Sequence, residues 1–191
     1  LEAGHGLELI VVASVAGGPA ALPPGLGLQD LHAELEAVPG FGAPVEAGDD
    51  EVAFWLYSSG STGAPKGTKH VHASLRATAE TYADQVLGIA GGDVCFSAAK
   101  LFFAYGLGNA MTFPMHVGAQ AVLLPDRPTP DAVLATMARH RPTLFFGVPT
   151  LYAALLSHPE LARGAGSDRL RRCVSAGEAL PEHVGLRWEE K

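Results

Sequence analysis

A loop rich in glycine and hydroxyl side chains is the part of this sequence best suited to chemistry. It spans residues 57–67, follows an apolar run, and contains four Ser or Thr hydroxyls, three glycines and Lys66. Glycines allow positive φ angles and close approach of a ligand, while backbone amides and hydroxyls donate hydrogen bonds to an anion. Lys66 adds a compensating positive charge. The loop therefore predicts a polyphosphate-binding site.

The spacing within this loop separates it from the Walker loop of P-loop NTPases. That loop places Gly, Lys and Ser or Thr consecutively at the start of a helix, whereas Ala64 and Pro65 here separate Gly63 from Lys66. The difference disfavours a simple phosphate-hydrolysing NTPase. A flexible Ser/Gly linker is the other interpretation, and the apolar run Val52–Tyr57 that leads into the loop disfavours it.

The elements that must position this loop alternate between apolar runs and helical periods. Strands are predicted at Leu7–Val15, Val52–Tyr57, Val94–Ala98, Ala119–Leu124, Leu144–Val148 and Leu170–Ser175. Helices are predicted at Leu28–Val38, Leu75–Val86 with Gly88 as the stop, Gly106–Val117, from Pro130 after the cap Thr129, Pro149–His158 and Pro181–Glu190. Because the strands are apolar on both faces and alternate with helices, we predict an α/β fold of layered, largely parallel sheets flanked by helices.

Composition and charge limit the class of protein. The 191 residues carry 13 Lys and Arg against 20 Asp and Glu, a formal net charge of −7, and 48% of them are hydrophobic. An acidic chain of this kind is unsuited to holding nucleic acid through phosphate contacts. Its hydrophobic content is typical of a folded globular protein.

The cysteines and the first apolar run indicate the cellular compartment of the protein. Cys95 and Cys173 are far apart and lack the clustered Cys or His residues that would suggest disulfides or zinc. The run Leu7–Ala16 is too short to span a membrane and has no basic leader. We therefore expect a cytoplasmic protein without a membrane partner.

Four stretches of the chain resemble a known family. Ser58–Gly67 resembles the phosphate-binding motif of the adenylate-forming enzymes. Three further stretches resemble the benzoate–CoA ligase branch of that family: Ala98–Asn109, Phe146–Tyr152 and Cys173–Pro181. The resemblance implies that residues 1–191 are part of the large N-terminal AMP-binding domain, with 1–50 a preceding segment and 51–191 carrying the phosphate loop and acyl pocket.

The resemblance also implies a reaction. ATP and benzoate, or a close aromatic acid, would give an acyl-adenylate and pyrophosphate, and the thiol of coenzyme A would then displace AMP. ATP, Mg²⁺ and coenzyme A are the implied cofactors and substrates, a small aromatic carboxylate is the implied partner, and a homodimer stays open for the complete enzyme. Alternatives are a ligase for substituted benzoates, an aryl-acid adenylation domain that loads a carrier protein, and a non-catalytic nucleotide-binding module.

Two segments would contact the nucleotide if the resemblance holds. The β- and γ-phosphates would be held by Ser58, Ser59, Gly60, Ser61, Thr62 and Gly63. Thr62 would approach Mg²⁺, and Lys66 matches the basic residue of the motif, with pinning of the loop as its other interpretation. The turn formed by Ser175, Ala176, Gly177 and Glu178 would lie beside the adenosine and the acyl carboxylate.

Other parts of the family machinery are expected beyond Lys191. They are the acid that helps to hold Mg²⁺, the Asp that binds ribose, and the C-terminal domain with its adenylation Lys. The chain also begins at Leu1 without Met and stops at Lys191 within a predicted helix. We therefore assign no catalytic residue within it and expect a fragment that cannot complete adenylation alone.

The aromatic segment Phe102–Tyr105 is the candidate wall of an acyl pocket. The resemblance implies that this segment lies beside the acyl group and that Ala104, Tyr105 and Phe113 line the pocket. Ala104 leaves room for a planar ring, and Tyr105 offers stacking or a hydrogen bond. Phe113 follows Tyr105 by eight residues, about two helical turns, which predicts the same face. The neighbouring Phe102 and Phe103 are predicted to be core residues.

Overall fold

The computed structural model describes residues 9–12, 27–30, 35–37, 40, 42–59, 63–162 and 165–191. The chain divides into two compact units, Leu1–Glu46 and Ala47–Lys191. The predicted division of the domain after residue 50 stays a prediction.

The first unit contains a pair of parallel strands. Strand β1 (Leu9–Val12) pairs with β2 (Gly27–Asp30). The predicted strand Leu7–Val15 is confirmed over β1, and its other residues lie outside the described ones. The predicted helix Leu28–Val38 is wrong at its start, because pairing with β1 outweighs the helical spacing of the apolar residues there. Residues 35–37 are helical.

The second unit begins with a β-hairpin. Strand β3 (Val52–Ser59) pairs antiparallel with β4 (Pro65–Val71), with Trp55 opposite Lys69 and Ser58 opposite Lys66. The predicted strand Val52–Tyr57 is confirmed. β4 was not predicted, because its residues are mostly polar and exposed and form no apolar run. The candidate phosphate loop joins the two strands.

A long helical segment follows the hairpin. Helix α1 (His72–Thr78) continues as the π-helical segment π1 (Ala79–Leu87), which ends at Gly88 with a φ of 58°. Gly88 is thus the stop that the sequence predicts, because glycine adopts the left-handed conformation without strain. Val86, the last residue of the predicted helix, is apolar but exposed. The wider i→i+5 turn shifts the buried face, which is formed by Ala79, Ala83 and Leu87.

A four-stranded parallel sheet forms the centre of the second unit. Its strands are β5 (Val94–Ser97), β6 (Gln120–Leu123), β7 (Leu144–Gly147) and β8 (Arg172–Ser175), in the order β6-β5-β7-β8. The connecting helical segments are α2 (Ala104–Leu107), π2 (Gly108–Thr112), α3 (Phe113–Val117), α4 (Pro130–His140) and α5 (Pro149–Leu156), and α6 (Glu182–Glu189) follows β8. This arrangement confirms the predicted α/β fold with a parallel sheet flanked by helices.

Alternate residues of the central strands enter two hydrophobic clusters. Successive side chains of a strand point to opposite faces of the sheet. Cys95, Leu144 and Phe146 join the cluster on π1, whereas Phe96 and Phe145 join the cluster on α4 and α5. All five are essentially inaccessible to solvent. The sheet is therefore covered on both faces, and its strand ends are fixed for the loops that follow them.

Two further findings concern the helices. Thr129 caps α4 as predicted, since its Oγ1 accepts a hydrogen bond of 3.3 Å from the amide of Ala132. Within the described part of the chain, no helix combines the length and apolar character needed to cross a membrane.

Candidate nucleotide and acyl site

The loops that follow β5, β7 and β8 lie side by side at one edge of the sheet. The strands are parallel, so their carboxyl ends meet at the same edge. Two backbone hydrogen bonds extend beyond the strands: the amide of Ala98 donates to Phe146 O at 3.0 Å, and that of Ala176 donates to Gly147 O at 3.4 Å. This edge is where open parallel sheets bind ligands.

Tyr105 connects two of these strand ends. Its hydroxyl lies 3.2 Å from Gly147 O and 3.0 Å from Val174 O, so its single proton is shared between these two carbonyls. Burial raises the pKa of the Tyr105 phenol above its usual range, so the group is neutral at physiological pH. Tyr152 also donates to Val174 O, at 2.9 Å. Both tyrosines thus fix the end of β8 relative to the helices.

An open cavity of about 600 Å³ lies at the same edge. Its walls are mainly apolar and include Lys100, Phe103, Tyr105, Pro128, Val148 and Gly177. This volume and lining suit a small organic molecule. The lining contains no acidic side chain among the described residues.

The three predicted acyl-pocket residues occupy different environments. Tyr105 lines the cavity, and Ala104 is exposed at the first position of α2. Phe113 is buried, and its ring lies 5.9 Å from that of Tyr82 and packs against Gly108. A π-helical segment lies between Tyr105 and Phe113, and Phe113 is not among the described residues that line the cavity. The substrate contacts of Ala104 and Phe113 stay predictions.

The core assignment of Phe102 and Phe103 is wrong. Their exposed fractions are 74% and 57%, and their rings contact each other with centroids 4.4 Å apart. Both residues follow the end of β5, where none of the described strands or helices covers them. Phe103 instead contributes to the cavity wall.

The predicted turn after β8 has two features that suit ligand binding. Gly177 has a φ of 94°, which other residues adopt only with strain, and it borders the cavity. The Oγ atom of Ser175 is buried and has no hydrogen-bond partner among the described residues. A buried unpaired hydroxyl is costly, so a ligand that accepts its proton would be stabilised. Ala176 lies within this turn, and Glu178 is exposed.

The structure describes only the sides of the candidate phosphate loop. Ser58 and Lys66 face each other across the hairpin and are exposed, and Gly63 has a φ of 83°. Ser59 is described by its backbone, whereas Gly60, Ser61 and Thr62 lie outside the described residues. The phosphate contacts and the Mg²⁺ contact of Thr62 therefore stay predictions. The described side chains include no group of three His, Cys, Asp or Glu residues arranged to hold a metal ion.

Sequence reasoning assigned no role to Lys100, although it lines the cavity. The available signal is a single charged residue three positions after the end of β5, within the apolar stretch Ala98–Phe103. Its contacts reach residues more than twenty positions further along the chain. Spacing within the motif therefore could not reveal them.

Comparison with known proteins shows what this chain is similar to. Residues 16–191 match the family described as AMP-binding enzyme. Over 142 residues, 74% of this chain and 27% of the relative, the chain is 62% identical to a benzoate–CoA ligase of Thauera aromatica. Over 150 residues, 78% of this chain and 28% of the relative, it is 57% identical to a 4-hydroxybenzoate–CoA/benzoate–CoA ligase of Rhodopseudomonas palustris. The chain thus spans little more than a quarter of the length of these relatives.

A solved structure extends the similarity to the fold. The anthranilate–CoA ligase AuaEII, in complex with anthranoyl-AMP, matches 96% of this chain and 34% of its own with a TM-score of 0.86 and 36% identity. The fold of this chain is therefore similar to that of a part of that ligase.

Proposed function

Because this chain belongs to the AMP-binding enzyme family, we propose that the protein containing it is an aryl-CoA ligase. It activates benzoate or a close aromatic acid with ATP, giving an acyl-adenylate and pyrophosphate. The thiol of coenzyme A then attacks the acyl carbon, and AMP leaves as the thioester forms. Positioning and charge neutralisation account for such a reaction, so no covalent bond to the protein is required.

The apolar cavity at the carboxyl edge of the sheet is the observation that carries this proposal. Phe103 and Tyr105 provide aromatic walls suited to a planar ring. The absence of an acid from the described lining suits a substrate that is itself an anion. The high identity to benzoate–CoA ligases supports the same substrate class.

The nucleotide would bind to two other segments, the turn after β8 and the hairpin loop. Ser175, whose hydroxyl has no hydrogen-bond partner among the described residues, and the turn through Gly177 would border the adenosine and the acyl carboxylate. The hairpin loop with Ser58, Thr62 and Lys66 would hold the β- and γ-phosphates. Mg²⁺ would be bound mainly by those phosphates, which is common for this ion, and would neutralise their charge.

Acid-dependent ATP–pyrophosphate exchange by the complete gene product tests the proposal. We expect exchange that requires an aromatic acid, and release of AMP that requires coenzyme A. Benzoate, 4-hydroxybenzoate and 2-aminobenzoate (anthranilate) are compared, because relatives of this chain are named as CoA ligases of these three acids. Benzoate is expected to give the highest kcat/KM.

Two other outcomes would refute the ligase proposal in different ways. Acid-dependent exchange without coenzyme A-dependent release of AMP would identify an aryl-acid adenylation domain that loads a carrier protein. Relatives named p-hydroxybenzoic acid–AMP ligase, 41% identical in Mycobacterium marinum, favour this as the second candidate. ATP binding without exchange would identify a non-catalytic nucleotide-binding module.

A further inference from the structure

We propose that Lys100 is a positioning residue that fixes one wall of the acyl cavity and thereby determines which ring substituents the cavity accepts. The specificity part of this inference rests on the proposed ligase function. The structural part concerns the loop of residues 124–129, which connects β6 to α4, and is independent of that function.

The ammonium group of Lys100 donates three hydrogen bonds to this loop. Its Nζ donates hydrogen bonds to the carbonyl of Leu124, to that of Pro125 at 3.1 Å and to that of Asp126 at 2.6 Å. A lysine ammonium has three N–H donors. None remains for a substrate carboxylate or a phosphate, so Lys100 acts through the loop.

The backbone of Lys100 is fixed as well. Its carbonyl accepts a hydrogen bond of 3.1 Å from the amide of Phe103. Helix α2 packs directly against it, since a Cβ atom on Gly106 would overlap the Lys100 carbonyl oxygen. Lys100 therefore joins the loop after β5, helix α2 and the loop after β6.

All three segments that Lys100 joins supply walls of the cavity. Phe103 and Tyr105 follow Lys100 in the chain, whereas Pro128 and Pro130 follow the three carbonyls that it contacts. The far end of the 124–129 loop is held by the Thr129 cap of α4. The three Lys100 hydrogen bonds thus fix its near end, and their loss would let the Pro128 wall move.

Replacing Lys100 by methionine tests its hydrogen bonds to the 124–129 loop. In the described part of the chain, Lys100 takes part in no ion pair with Asp or Glu. Lys100→Met therefore removes three hydrogen bonds to the loop without leaving a carboxylate unpaired. Lys69→Met is the matched control, because Lys69 lies on the hairpin, with Nζ 5.3 Å from the Trp55 ring centroid, and does not line the cavity.

The first experiment measures hydrogen exchange in the complete gene product. In Lys100→Met we expect the amide of Thr129, which donates to Arg127 O at 2.8 Å, to exchange about tenfold faster, because the hydrogen bonds that hold the near end of the loop are lost. Lys69→Met should leave the exchange of this amide unchanged. Unchanged exchange in Lys100→Met would overturn the proposal, and this result does not depend on any enzymatic activity.

The second experiment measures steady-state kinetics with benzoate and 4-hydroxybenzoate. Lys100→Met should raise the KM for benzoate several-fold and reduce the preference for benzoate over 4-hydroxybenzoate, while the KM for ATP stays the same. A fall in kcat that is equal for both acids, with unchanged KM, would overturn the positioning role. Wild-type protein that activates neither acid would refute the ligase function and leave the exchange result standing.

Lys100→Arg decides the question if the methionine variant does not fold. Arginine keeps the charge and the donors, but its planar guanidinium cannot direct three N–H groups at three neighbouring carbonyls in the same way. Partial increases in loop exchange and in the KM for benzoate would support the proposal. Wild-type values of both would overturn it.

Discussion

Arg171 binds both carboxylate oxygens of Asp93. Its Nε lies 3.0 Å from Oδ1 and its Nη2 lies 2.6 Å from Oδ2. Thr143 Oγ1 donates to Asp93 Oδ1 at 2.7 Å, and the amide of Ala90 donates to Oδ2 at 2.8 Å. Asp93 precedes β5, Thr143 precedes β7 and Arg171 precedes β8. One buried carboxylate therefore joins the starts of three adjacent strands, at the edge opposite the cavity.

Asp93→Asn should destabilise the protein strongly. An amide cannot accept from all four donors, and Arg171 would lose its counter-charge in a partly buried position. We expect the free energy of unfolding to fall by about 2–4 kcal/mol, measured by denaturant unfolding of the complete gene product. Asp168→Asn is the control, since Asp168 pairs with Arg141 on the surface and should matter little. Equal effects of the two substitutions would contradict the role given to Asp93.

The same carboxylate predicts a dependence of stability on pH. Arg171, with help from Thr143 and Ala90, lowers the pKa of Asp93 from 3.8 to about 2. The ion pair therefore stabilises the fold above the unfolded-state pKa, and this contribution, about 2 kcal/mol, is lost as the pH falls through the folded-state value. Unfolding free energies at about pH 5 and about pH 2.5 should differ less in Asp93→Asn than in the wild type. An equal loss in both proteins would show that other groups cause the acid sensitivity.

Gly106→Ala should prevent correct folding of the loop after β5. A Cβ atom there would overlap the backbone of Lys100 and Ala99, which cannot move as a flexible side chain can. We expect a loss of more than about 3 kcal/mol of unfolding free energy, or no folded protein. Gly92→Ala provides the control, because a Cβ atom at that position meets no atom within 4 Å. A folded Gly106→Ala protein with wild-type stability would contradict the packing of α2 on Lys100.

The parts of the fold that sequence predicted are those with local signals. The strand at Val94–Ala98 and the end of π1 at Gly88 follow from an apolar run and a glycine, and the structure confirms both. Strand β4 carries no such run, and its partner β3 alone makes it a strand. The segment at Leu28 has helical spacing, yet a partner strand outweighs it. Pairing between distant segments is information that periodicity does not carry.

The same difference between local signals and contacts of distant segments applies to the candidate site. The turn at Gly177 was predicted from the motif, and its positive φ suits a glycine. The prediction for Phe113 depends on regular α-helical turns after Tyr105, and a π-helical segment interrupts them. The role of Lys100 depends on carbonyls 24 to 26 residues away. Every residue has a backbone carbonyl, so no pattern of residue types indicates which carbonyls Lys100 contacts.

Lys66→Met should weaken the interaction with ATP if the hairpin loop binds phosphate. Lys66 is exposed opposite Ser58, at the base of the loop. Loss of its charge should raise the KM for ATP about tenfold, the size expected for one charge-assisted contact of about 1.5 kcal/mol. Lys69→Met, three residues along the same strand, should leave this KM unchanged. Equal KM values for ATP in both variants would favour the interpretation that Lys66 only holds the loop.

Tyr105→Phe should loosen the strand ends that border the cavity. The substitution removes the hydroxyl that donates to Gly147 O and Val174 O and keeps the aromatic ring. We expect a loss of about 1 kcal/mol of unfolding free energy and a KM for benzoate raised about three- to tenfold, with the KM for ATP unchanged. Tyr82→Phe is the control, since Tyr82 packs through its ring on Phe113 and does not line the cavity.

The pH dependence separates this positioning role from proton transfer by Tyr105. Because burial raises the pKa of the phenol, the hydroxyl keeps its proton throughout the range in which the enzyme is assayed. The ratio of the benzoate KM in Tyr105→Phe to that in the wild type should therefore be the same at about pH 7 and about pH 9. A ratio that falls towards one at the higher pH would show that the phenol ionises there. Such a result would mean that its hydrogen bonds to Gly147 and Val174 do not hold the proton in place.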